Sequence, residues 1–144
     1  MTKMLYMKKI ILIIGVTILC VGIVNYLQSS DIQPQALWKG YETQKMILED
    51  TEYTLVIADT PDHMQKGLMF VRKPTEGFDG MVFRFPDKQI RTFWNKNTFV
   101  DLQLIWMNEG EVVGKSDLPS IEKSKTIVTV QSPRPADTVV EIIK

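Results

Sequence analysis

Cysteine and histidine are nearly missing from this chain. Its 144 residues hold one of each, Cys20 and His63. A structural zinc site takes four nitrogen or sulfur ligands, and these two residues do not supply them. A disulfide framework is excluded too, because beyond Cys20 there is no thiol at all. Cys20 is preceded by Leu19 where a lipid-attachment motif wants a small residue, so it reads as a packing or lipid-facing side chain. No glycine-rich phosphate loop follows a strand pattern, and no G-x-S-x-G elbow occurs. An excess of positive charge is missing as well, with 17 Lys and Arg against 17 Asp and Glu. Lys3, Lys8 and Lys9 lie before residue 10, whereas every acidic residue lies at or after Asp31. The part after residue 30 therefore keeps 14 basic and 17 acidic residues, a charge of −3. Nucleic-acid binding needs a concentrated basic face, so no nucleic-acid partner is expected.

Charge is absent altogether from residues 10–27, IILIIGVTILCVGIVNYL. As a helix this run spans about 27 Å, close to the hydrocarbon thickness of a bilayer. The lysines ahead of it place residues 1–9 in the cytoplasm and the rest outside, by the positive-inside rule. The exit, VNYLQSSDIQPQA, shows no small-x-small cleavage site, so a retained signal anchor is expected over a cleaved signal. Residues 28–41 are polar with one proline and read as a stalk, with Trp38 at a membrane interface or at the edge of the next domain. Residues 42–144 are long enough to bury a core of their own.

That last segment is rich in short β-type runs. TQKMILE and YTLVIA suggest a hairpin with a three- or four-residue loop. MVFRF, TFW, LQLIWM, EVVGK, TIVTVQ and TVVEII follow, with turns at FPDKQ, NEG and SPRPAD. DTPDHMQKGLM reads as one short helix: Thr60 caps, Pro61 takes the first position, Asp62 meets the positive dipole end, and Gly67 ends it. Seven or eight short strands with regular turns predict a small antiparallel sandwich or barrel of jelly-roll type, preceded by the transmembrane helix.

His63, on a short polar helix, reads as a solvated residue. Met46, Met64, Met69, Met81 and Met107 are scattered, so core packing accounts for them better than copper binding, and neither a metal nor a cofactor is expected. The remaining candidate is FWNKNTFVDLQLIW (93–106), where four polar residues interrupt large hydrophobes. Trp94 offers a flat face, Lys96 and Arg72 cations, Asn97 an amide, Thr98 a hydroxyl and Asp101 a carboxylate, a mixture that suits a small polar or anionic ligand. Lys96 and Asp101 also offer an acid–base pair, if buried together.

GLMFVR (67–72), GMVFRF (80–85), FWNKNTFVDLQLIWMNEGEVV (93–113) and the closing SPRPADTVVEI resemble, in order and spacing, the bacterial and archaeal family named domain of unknown function 192. The resemblance covers residues 46–142. It implies a compact, mostly β fold of jelly-roll or sandwich type on an exported or membrane-anchored protein, and it implies no particular activity. Its motif usually reads F-W-M-K-N-T, and this chain carries Asn95 in place of the methionine. Gly67, Met69, Gly80, Met81 and Phe93 then belong to the fold, the two glycines in tight turns. Three readings follow: a structural or interaction module for another envelope protein, a small-ligand binding domain using Arg72, Trp94, Lys96, Asn97, Thr98 and Asp101, and, least favoured by these residues, an enzyme.

Overall fold

The computed structural model describes Trp38, residues 40–74 and residues 77–144. The expected anchor at residues 10–27 and most of the stalk lie outside the described residues. Among the described residues, no helix is long and apolar enough to cross a membrane.

Among the described residues, eight strands and two short helices follow one another. They are β1 (Thr43–Leu48), β2 (Thr51–Ala58), α1 (Pro61–Lys66), β3 (Gly80–Gln89), β4 (Thr92–Trp94), β5 (Leu102–Asn108), β6 (Glu111–Leu118), α2 (Ile121–Ser124), β7 (Thr129–Gln131) and β8 (Ala136–Ile143). Six strands form one sheet in the order β1-β2-β3-β8-β5-β6, and β4 pairs with β7 as a separate ribbon. The mainly β expectation holds, but the sheet is mixed: β2 and β3 run parallel, with Val56 opposite Met81 and Ala58 opposite Phe83. A parallel pair needs a crossover of a dozen residues or so, and the segment between Ala58 and Gly80 supplies it, carrying α1 on the way. No barrel closes. The Lys115–Glu49 ion pair joins β6 to the β1–β2 turn, so the sheet curls until its ends meet without pairing β1 to β6.

The hairpin loop is shorter than expected. Glu49 and Asp50 alone make it, at φ 49° and 66°, the two left-handed residues of a tight hairpin turn whose twist suits the flanking strands. The second helix, α2, adds to the one the sequence predicts. Ser120 Oγ accepts from Lys123 N–H at 3.2 Å and starts the turn, and Lys125 at φ 61° ends it.

Alternation gives the sheet two buried faces. Leu55, Val82, Ile105, Met107, Val140 and Ile142 pack on one, inside the curl. Val56, Met81, Phe83, Leu104, Trp106 and Val139 lie on the other. Phe93, from the β4–β7 ribbon, covers this second face edge-on, 5.0 Å from Phe83 and 5.7 Å from Trp106 between ring centroids. Gly80, expected in a turn, lies within β3 instead. A Cβ there would stand 1.9 Å from the Glu141 carbonyl oxygen, so a side chain would push β8 away.

Candidate functional site

The sequence NKNT folds as a turn. Thr98 N–H donates to the Asn95 carbonyl at 3.1 Å, with Lys96 and Asn97 at the corners and Asn97 at φ 55°. Asn95 is wholly buried. Its Nδ2 donates to the Pro119 carbonyl and to Ser124 Oγ, each at 2.8 Å, and its Oδ1 accepts Val128 N–H at 2.8 Å. The Asn95 amide therefore staples the ribbon to the segment around α2. Asn97 and Thr98 brace the backbone through their carbonyls, which accept from Phe70 N–H at 2.8 Å and Ile121 N–H at 2.9 Å.

Arg72, Lys96 and Asp101 have separate tasks. The Arg72 guanidinium lies 3.8 Å from the Phe99 ring centroid and 3.5 Å from Glu122. Asp101 accepts Ser120 N–H at 2.8 Å and pairs with Lys123 at 2.7 Å. These contacts, Lys123 first and then the Ser120 amide, hold its carboxyl below the usual carboxylate range. Lys96 is exposed, its Nζ 5.1 Å from the Trp94 ring centroid. Asp101 thus takes Lys123 as its cation, and the six candidates do not converge on one cavity.

Two of them do meet elsewhere. Trp94 and Thr98 line a cavity of about 30 Å³ with Phe93, Phe83 and the α1 end, Met64 to Met69. Glu141 lines it too, a residue of the closing SPRPADTVVEI motif that is not one of the six candidates. On β8, Glu141 stands opposite Met81 on β3 and Leu104 on β5, both fully buried. Only 4% of it is exposed, and its Oε2 has no hydrogen-bond partner among the described residues. Burial pushes its carboxyl up to about 8, so at neutral pH it is mostly protonated. A signal for it exists in the sequence: one carboxylate in TVVEII, a run of strand-forming apolar residues.

The walls are held by their own chemistry. Thr60 Oγ1 accepts His63 N–H at 3.1 Å to start α1, and Gly67 ends it at φ 49° and ψ −141°, a conformation only glycine adopts readily. The chain then returns so that Phe70 N–H and the Val71 carbonyl bond the β4–β5 loop. His63 is structural, with Nδ1 2.8 Å from Asp59 and its ring stacked 3.8 Å from Tyr41. Trp94, 44% exposed, forms the outer lip. A broader hollow of about 740 Å³ lies beside the β5–β6 turn, but it is open and its Lys88 and Glu109 pair with each other. Among the described residues, no group of three His, Cys, Asp or Glu side chains is placed to hold a metal.

These features define a small β domain with a buried acid, its Oε2 unpartnered among the described residues, beside an aromatic lip. Residues 43–144 match DUF192, described as Uncharacterized ACR, and the chain belongs to that family. No curated protein matches it. Among solved structures it is similar to a protein from Sinorhizobium meliloti 1021 described as a candidate transcription regulator, at 22% identity and TM-score 0.59, covering 72% of this chain and 81% of that one. It is also similar to a protein of unknown function from Novosphingobium aromaticivorans DSM 12444, at 20% identity and TM-score 0.56, covering 72% and 73%. At these identities the likeness shows the fold alone.

Proposed function

We propose that the protein is a membrane-tethered, extracytoplasmic interaction module of the cell envelope that engages its partner through the Trp94–Glu141 opening. The tether is the apolar run at residues 10–27 with its preceding lysines. The observation that carries the binding site is Glu141: a carboxyl buried on the sheet, with Oε2 unpartnered, at the floor of an opening whose lip is an exposed tryptophan. Leaving a buried polar atom unsatisfied costs about 1–3 kcal/mol, which a partner's hydrogen bond would recover. The exposed indole adds flat apolar area of the kind that anchors interfaces.

A photo-crosslinking side chain at Trp94 of the full chain, in isolated membranes, tests this. Defined adducts are expected, lost on Glu141→Leu and absent when the same group replaces Ile47, which is 71% exposed on edge strand β1. Equal labelling at both positions, or adducts indifferent to Glu141→Leu, would refute it. A free sugar-like or anionic ligand is the second reading, favoured by the exposed face of Trp94; thermal shifts with sugars and phosphates that vanish on Trp94→Ala would select it.

A further inference from the structure

We propose that the group received by this opening is a primary ammonium, the end of a lysine side chain or a chain N-terminus, which pairs with the Glu141 carboxylate between aromatic and thioether walls. The inference rests on the interaction reading above and deepens it. Size argues first. A cavity of about 30 Å³ holds one or two water-sized groups, enough for an ammonium head but too small for a sugar ring or a phosphate. Charge argues next. The lining, which also includes Gln65, Lys66 and Thr98, holds one carboxyl, that of Glu141, with its Oε2 unpartnered among the described residues; once ionised it attracts a cation and repels an anion. The walls agree: Phe83, Phe93 and Trp94 line the cavity with Met64 and Met69, aromatic and thioether groups that are polarisable and accommodate a cation. Trp94 already shows this property toward Lys96.

The charged groups around Glu141 are compatible with this. Its strand neighbours Met81 and Leu104 are apolar. From α1, Lys66 turns its Nζ onto Trp38 and Tyr41, 4.7 and 5.4 Å from their ring centroids, and burial lowers its pKa. His63 on the same helix pairs with Asp59. From the β4–β5 turn, Lys96 lies over Trp94. Binding is a proton exchange. The Glu141 O–H bond breaks, its proton leaves to the buffer, and the ammonium N–H groups donate to the resulting carboxylate. With Glu141 titrating near 8, the apparent affinity should rise about tenfold per pH unit from 6 to 7 and level off above 8.

The test is calorimetry on the full chain in detergent, with n-butylammonium as the probe and n-butanol and butyrate as its isosteres. Two buffers of different ionisation enthalpy report the proton released. Saturable butylammonium binding is expected, with close to one proton released at pH 7, the tenfold pH dependence, and loss of binding in Glu141→Gln. Nα-acetyl-lysine amide and glycinamide then distinguish a side chain from an N-terminus as the source. Butanol or butyrate binding as well as butylammonium, without proton release, would overturn the ammonium assignment and leave the interaction reading standing. Binding unchanged in Glu141→Gln would overturn it too. If no probe binds while the Trp94 crosslinker labels a partner, the ammonium assignment falls alone. If the crosslinker is also silent, both readings fall.

Discussion

Asn95 and Val128 exchange two hydrogen bonds: Val128 N–H donates to Asn95 Oδ1 at 2.8 Å, and Asn95 N–H donates to the Val128 carbonyl at 3.2 Å. The same side-chain amide also donates to Pro119 and Ser124. The substitution Asn95→Met removes all three side-chain bonds. A loss of about 2–4 kcal/mol is expected, seen as a fall in melting temperature of roughly 10 °C or more. An unchanged midpoint would mean that the neighbouring groups find other partners.

Glu141 makes stability depend on pH in an unusual direction. Its carboxyl titrates at 4.5 when free and at about 8 in the folded domain. Below 4.5 both states are protonated and nothing is lost. Between 4.5 and 8 the unfolded chain ionises while the folded one does not, so stability falls as pH rises, by roughly 5 kcal/mol in all. Glu141→Gln should remove this slope. Its melting temperature should exceed the native chain's by a margin that grows from about pH 5 to about pH 8.

Gly80→Ala should be far more damaging than an alanine at a turn glycine. The added methyl meets the Glu141 carbonyl at 1.9 Å in the β3–β8 pairing. Failure to fold, or a loss above about 4 kcal/mol, is expected. Gly110→Ala has open space around it and a φ of 82°, so it should cost only about 1 kcal/mol. Urea titration of the two variants gives the comparison.

Asp101 acts at the acid end. Its carboxyl is held below 3.8 by Lys123 and Ser120. Its contribution is therefore complete above that value and is lost as pH falls through the folded pKa. Asp101→Asn should lower stability at neutral pH and flatten the acid limb of a melting-temperature profile. The Lys123 side chain is largely exposed, so high salt should shrink the difference.

Most strands could be read from the sequence because β-branched and aromatic runs alternate with turn residues, as in YTLVIA and LQLIWM. The parallel β2–β3 pair could not, because strand direction is set by a crossover whose length is visible but whose path is not. The short helix at Ile121–Ser124 was hidden in a polar stretch where Ser120 alone signals a cap. In the candidate site, Trp94 and Thr98 stood out by type. Glu141 did not, because a lone acid in an apolar strand gains meaning only once its neighbours are known to be Met81, Leu104 and Phe83. Asn95 carried the opposite lesson: a polar residue among aromatics proved to be bonded to backbone, and its partners lie 24 to 33 residues away.

Trp38 is buried beside Tyr41 and Phe78, 5.1 and 5.5 Å from their ring centroids, with Lys66 over its face. It precedes β1, an edge strand. Tension on the chain ahead of it would therefore reach the indole before any strand. The indole must be drawn from its aromatic seat before β1 can peel from β2 one rung at a time. That seat includes Lys66 of α1, which also forms a wall of the Glu141 opening, so a pull strong enough to unseat Trp38 would loosen that opening before it unravels the sheet.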